Sequence, residues 1–229
     1  MSETLHSSRP CVRLRSARFL LVHALLAAVA TAAGTELPSA EPAGPAALRP
    51  FTAVLAVDYK GFSAGTSTIT LVQSSPDSWT YSSRSEARGL ARLLVPGDIT
   101  QTSQLSIVDG KVRPLHYRGD DGTADDSKDV SLDFDWQRNR VTGVAERQAV
   151  SLELSAGAQD DLSAQVATML ELAHGGPLPP TFSVVDKNEI KVYRYRQEGT
   201  ARLRTAVGEV EAIVVSSQRN GSPRVLRTW

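Results

Sequence analysis

Cysteine is nearly absent from this chain. Cys11 alone occurs among 229 residues, which excludes a scaffold held by disulfides. Histidine is scarce too, with four residues. There is no H-E-x-x-H and no His pair at ligand spacing, so the sequence offers no zinc site and calls for no cofactor. An excess of one charge is also missing. The 25 Lys and Arg balance 25 Asp and Glu, which gives no electrostatic case for binding DNA or RNA. No apolar run reaches the roughly 20 residues that a helix needs to cross a bilayer. Strands do not alternate with helices, which argues against a doubly wound sheet.

The longest apolar run does have a use. Arg9, Arg13, Arg15 and Arg18 precede Phe19 to Ala30, and Ala30-Thr31-Ala32 supplies the small residues that a signal peptidase requires. Residues 1–32 therefore read as a cleaved secretory leader, with no stable membrane span left afterwards and the periplasm as destination. Cleavage would remove four Arg, one Glu and Cys11, leaving 21 basic and 24 acidic residues and His116 and His174 as the only histidines. Residues 33–50 follow as a tether rich in Pro and Ala, with Pro38, Pro42, Pro45 and Pro50. Such composition has little to bury. A single domain over 51–229 remains.

Within that domain the apolar period is two. Val130, Leu132, Phe134 and Trp136 alternate with Ser131, Asp133 and Asp135. Val150, Leu152 and Leu154 repeat the pattern, as do Val210, Ala212 and Val214. This is the mark of half-buried strands. Further strands are expected at 51–59, 65–73, 77–85, 99–108, 111–118, 140–145, 181–185, 189–197, 200–205 and 224–229. Turn signals separate them at Asp109-Gly110, Asp121-Gly122, Arg138-Asn139, Glu198-Gly199 and Asn220-Gly221. One helix is expected after Asp160 and Asp161, either of which can cap it. Leu162, Val166, Met169, Leu170 and Ala173 form its apolar stripe, and Gly175-Gly176-Pro177 ends it. A short helical turn is expected at 89–94. The fold class is mainly β: a large curved antiparallel sheet or half-open barrel with one helix packed against it.

Several motifs have plain structural readings. Gly61-Phe62-Ser63-Ala64-Gly65 fits G-x-S-x-G, but a nucleophile there needs a strand-to-helix elbow, and a β-branched strand follows instead. Asp120, Asp121, Asp125, Asp126 and Asp129 are acidic enough for a hard cation but lack the EF-hand spacing. A solvated loop is the simpler reading. Asn220-Gly221-Ser222 reads as a hairpin turn rather than a glycosylation acceptor. His116 and His174 read as a strand residue and a residue at the negative end of the helix dipole.

A larger pattern emerges from the order of these pieces. The opening Tyr59…Gly61…Gly65, Leu115 and Tyr117 after Pro114, Phe134-Asp135-Trp136 and Gln159-Asp160-Asp161-Leu162-Ser163 before a helix together resemble the bacterial exported proteins grouped as domain of unknown function 3108 (DUF3108). The resemblance spans about Phe51 to Trp229. It implies a β-rich secreted protein without assigned activity. Members of that family usually continue past the strand that matches 224–229, so a C-terminally truncated chain is one expectation. A free strand edge there would favour self-association.

Two function classes follow. The first is a non-enzymatic binding or envelope-maintenance module for an apolar or amphipathic small molecule or lipid. The second is a hydrolase using Asp160 or Asp161 with a nearby Ser or His; convergence of Asp161, Ser163 and His116 would favour it. Candidate ligand contacts are Phe134, Trp136, Asp160, Asp161, Ser163, Tyr193 and Tyr195, and no residue is assigned to catalysis or to a metal.

Overall fold

The computed structural model describes residues 48–59, 62–93 and 95–229. The expected leader and residues 33–47 of the tether lie outside the described residues. Leu48, expected in the tether, packs against the hydrophobic core.

Among the described residues, twelve strands and one α-helix make up the domain. They are β1 (Phe51–Tyr59), β2 (Phe62–Ser75), β3 (Ser78–Ala87), β4 (Ile99–Val108), β5 (Lys111–Asp120), β6 (Val130–Asp135), β7 (Arg140–Ala145), β8 (Gln148–Glu153), α1 (Ser163–Ala173), β9 (Thr181–Asp186), β10 (Glu189–Thr205), β11 (Gly208–Arg219) and β12 (Val225–Thr228). A 3-10 turn spans Gly89–Leu93, where the short helical turn was expected. β1 to β8 form one antiparallel meander in chain order. β12-β11-β10-β9 form a second sheet. Short turns explain the first arrangement. Asp109 and Gly110 both take positive φ, the geometry of a two-residue hairpin whose twist matches its strands.

The sheets do not merge into one, and no barrel closes. Residues 154–162 and α1 interrupt the meander. The segment before the helix instead lies beside β9, where Gln159 N–H donates to Ser183 O and Val185 N–H donates to Gln159 O, both at 2.8 Å.

Period-two burial holds across the first sheet. Ile69, Leu71, Trp79, Tyr81, Leu105, Leu132 and Val141 point to one face and are buried there. Leu162, Val166 and Leu170 of the helical segment join the same core. Gly143 is required where it stands, because a Cβ would come within 2.0 Å of Ser131 O on the neighbouring strand.

One local expectation is corrected. Glu198-Gly199 is not a turn: β10 runs through it, and its pairing with β11 shifts register there as a bulge. An extra residue is absorbed this way when both flanking stretches have a pairing partner. The chain reverses later, between Thr205 and Gly208. The last strand pairs with Val215–Gln218, because the turn at Asn220-Gly221 sets the register from that end.

Candidate functional site

Paired residues in neighbouring strands share a face, so the register describes the inner face row by row. The row nearest the chain's 79–105 end carries Trp79 and Leu105, both buried. The next row carries Phe51, Leu71, Tyr81, Ser103, Tyr117, Leu132, Gly143 and Val150. Beyond it lie Ala53, Ile69, Ser83, Gln101, Gly119, Val130 and Ala145. A further row holds Leu55, Ser67, Ser85 and Ile99.

The helix docks on the second of these rows through Asp160. This residue is 0% exposed. Its Oδ1 accepts from the backbone N–H groups of Leu162 and Ser163, each at 2.8 Å. Ser163 Oγ returns the favour by accepting from Asp160 N–H at 2.8 Å. That reciprocal pair is a capping box with Ser in the third position. The other oxygen, Oδ2, accepts from Ser103 Oγ at 2.7 Å. Tyr81 Oη donates to Gln165 Oε1 at 3.3 Å. The cap and these two cross-links hold the helix on the sheet. Burial pushes the Asp160 carboxyl above its usual range, against the opposing effect of the hydrogen bonds from Ser103, Ser163 and Leu162.

Around this cap gather two tyrosines and a second carboxylate. Tyr117 is buried and its phenol is held well above the usual range, by burial first and then by the charges of Asp161 and Asp160. Its Oη accepts from Gln101 Nε2 at 3.0 Å, and Gly119 leaves room for its ring. Tyr195 is likewise raised, by burial first and then by Asp161. Its ring meets Phe182 edge-on, with centroids 4.8 Å apart. Both phenols therefore stay protonated. Asp186 is buried and pairs with Lys191 Nζ at 2.8 Å. Burial alone would lower the Lys191 pKa, but its bonds to Asp186 and Glu189 overcome this and raise it. Among the described residues, Gln159 Oε1 and Trp79 Nε1 are buried without a hydrogen-bond partner.

The sequence-predicted residues thus divide. Asp160, Asp161, Ser163 and Tyr195 come together at the start of α1. Tyr193 lies opposite Phe182 in the second sheet and packs against the core. Phe134 and Trp136 sit elsewhere, at the β6–β7 turn. Phe134 is buried, and Trp136 Nε1 donates to Pro114 O at 2.7 Å. Both border a shallow groove of about 470 Å³ shared with Leu115, His116, Asp133 and Thr142. Tyr117, Gln101 and the inner serines were not singled out as site residues. The signal for them was present in the period-two placement of Ser83, Ser85, Gln101 and Ser103, but a serine in a strand reads as solvent-facing until the register is known.

His116 does not join Asp161 and Ser163. Its neighbour Tyr117 points inward, so His116 points outward, and its Nδ1 lies 2.6 Å from Asp133 Oδ1 on the exposed ladder. Ser63 lies inside strand β2, opposite Asp58, with no elbow beneath it. The acidic loop is laced by its own contacts. Asp125 Oδ1 accepts from Ser127 N–H, and Arg147 pairs with both Asp125 and Asp126. The carboxylates of Asp120, Asp121 and Asp129 approach one another closely enough to share an ion. Burial, followed by repulsion from Asp120, raises the Asp129 carboxyl.

A family model described as a protein of unknown function, DUF3108, matches residues 55–229. The chain belongs to the DUF3108 family. No curated protein and no solved structure gives a match to this DUF3108 chain. No described helix is long and apolar enough to cross a membrane.

Proposed function

We propose that this DUF3108 protein is an exported, non-enzymatic module that holds an apolar or amphipathic ligand. The observation that carries the reading is a gradient across the inner face. Under α1 the rows are sealed: Leu105, Tyr81, Tyr117 and Leu132 are all buried. In the far rows Ile69 and Ala145 stay buried, but Ala53, Leu55, Ile99, Gln101, Gly119 and Val130 are only half-buried. There the floor is lined by Ser67, Ser83 and Ser85. Ser85 Oγ donates to Ser67 Oγ at 2.8 Å, and Ser67 Oγ lies 3.4 Å from Ser83 Oγ. Apolar walls beside a few fixed polar groups are what a small-molecule site requires. A ligand with an apolar body would lie along Leu55, Ile99 and Val130, with its polar end at Gln101 and the serines.

The hydrolase reading has less support. Both oxygens of Asp160 are engaged in capping and in the bond from Ser103. Ser163 Oγ accepts from the backbone, and His116 faces away. Export rests on the leader-like residues 1–32 alone.

Protein purified from cells expressing the full-length chain tests both parts. Its N-terminus should begin near residue 33, and mass spectrometry of its organic extract should show a lipid or other apolar compound enriched over a control protein. Ser85→Trp, which replaces a hydroxyl of that floor with a large ring, should abolish that enrichment. An extract indistinguishable from the control, together with no thermal shift on adding lipids, would sink the binding proposal. An intact N-terminus in a membrane fraction would sink the export proposal.

A further inference from the structure

We propose that β1 is a self-pairing edge through which two copies of this chain join their eight-stranded sheets into one. The two sheets end on four strands, and the β10–β11 hairpin adds two stretches without an outer neighbour, 196–205 and 208–214, which carry the charges of Arg196, Arg202, Arg204, Glu209 and Glu211. Three of the four end strands are short or covered. β9 is covered by the Gln159 segment through two backbone bonds. β12 has four residues, and its Arg227 pairs with Glu198 at 2.7 Å. β8 has six residues, from Gln148 to Glu153, and Gln148 is approached by Asn188 at 3.5 Å. Natural edges are blunted by such shortness, charge or cover.

Among the described residues, β1 has no strand on its outer side and is not short. It runs for nine residues, FTAVLAVDY, with Asp58 as its one charge and no Lys, Arg or Pro. The register shift beside Val57 and Asp58 skips Ala64 on β2, so β1 itself stays regular. Val54 on its outer face is 69% exposed. The edge is therefore long and mostly apolar.

A second copy is the occupant because β1 is self-complementary. A two-fold interface needs every contact to occur twice, with the roles exchanged. Set about Leu55, an antiparallel pairing of β1 with itself places Leu55 opposite Leu55 of the second copy. Val54 then meets Ala56, Ala53 meets Val57, and Thr52 meets Asp58. Each branched side chain faces a small one, apart from the central leucines, and each hydroxyl faces a carboxylate that it can donate to. The two Asp58 charges stay apart. Inner residues meet inner residues, so the core face continues across the junction. The alternative centre at Val54 would set Asp58 opposite Pro50, which has no N–H to give. The free edge expected from sequence at 224–229 is shorter and already carries an ion pair.

The full-length chain expressed in cells, carrying Cys11→Ser, is the protein for the test. Light scattering over a dilution series should show a reversible dimer. Val54→Lys changes an exposed residue and leaves the core intact, and it should raise the dimer dissociation constant at least about tenfold. Leu55→Cys should form a disulfide-linked dimer, because directly paired Cα atoms lie about 4.5–5.5 Å apart, within disulfide reach. Ala53→Cys should not, since it pairs with position 57 rather than with itself. A monomer at every concentration overturns the proposal. So does a dimer unaffected by Val54→Lys, or cross-linking at position 53 in preference to 55.

Discussion

The two ends of the inner face are made from the same strands and differ in what those strands place there. Under α1 the rows carry Trp79, Tyr81, Leu105, Tyr117 and Leu132, large side chains that fill the space to the helix. Toward the other end the same strands carry Ser67, Ser83, Ser85 and Gly119, with half-exposed aliphatic neighbours. One strand therefore serves both purposes: β3 moves from Trp79 and Tyr81 to Ser83 and Ser85 within a single inward-facing series. The change in side-chain volume along a strand, not a change of fold, separates the end that stabilises from the end proposed to bind.

The largest expected effect tests that division directly. Leu105→Ala, at 0% exposure, should cost about 2–5 kcal/mol, the loss of transfer energy plus a cavity. Leu55→Ala removes the same atoms from a half-exposed row and should cost clearly less, since part of that surface already meets water. Equal losses in urea titrations would erase the contrast between the ends.

A smaller effect is expected at the cap of α1. Asp160→Ala leaves two backbone N–H groups and Ser103 unpartnered and should cost about 1–3 kcal/mol. Asp160→Asn keeps the shape and removes the charge, and its behaviour should depend on pH. The folded pKa of Asp160 is raised above its unfolded value. Its ionisation therefore penalises the fold, fully above the folded pKa, and the penalty is relieved as pH falls through that value toward the unfolded one. Relative to wild type, the Asn variant should be favoured most at neutral pH, and that advantage should fade on acidification. An advantage that grows on acidification would mean that the donors around Asp160 outweigh its burial.

Much of this architecture was legible from the alternation of side chains. The β6 series Val130, Leu132 and Phe134 marked its strand and its inner face, and the capping role of Asp160 followed from a short carboxylate before an apolar stripe. What failed was local punctuation. Glu198-Gly199 resembles a turn, yet Gly199 serves a bulge, because register with β11 is decided by partners far along the chain. Conversely, Glu146 and Arg147 turn the chain with positive φ and without glycine, and Arg147 is held there by Asp125 and Asp126. No local rule marks such a turn. The site was only half visible for a related reason. Asp160, Asp161 and Ser163 stand together in sequence, whereas Ser103, Tyr117 and Tyr195 reach them through strand pairing.

The cap on α1 also bears on the order of folding. Each strand from β2 to β8 pairs with its predecessor, so the meander can grow by closing short loops, which costs little chain entropy. The links that bring the helix onto that sheet span far more chain: Ser103 to Asp160 is 57 residues, and Tyr81 to Gln165 is 84. Contacts of this reach form late and break early. Substitutions at Ser103, Asp160 and Gln165 should therefore speed unfolding while barely slowing refolding, whereas substitutions in the β2–β3 hairpin should slow refolding. Chevron plots that show the reverse would place the helix in the folding nucleus, with the sheet assembling around it.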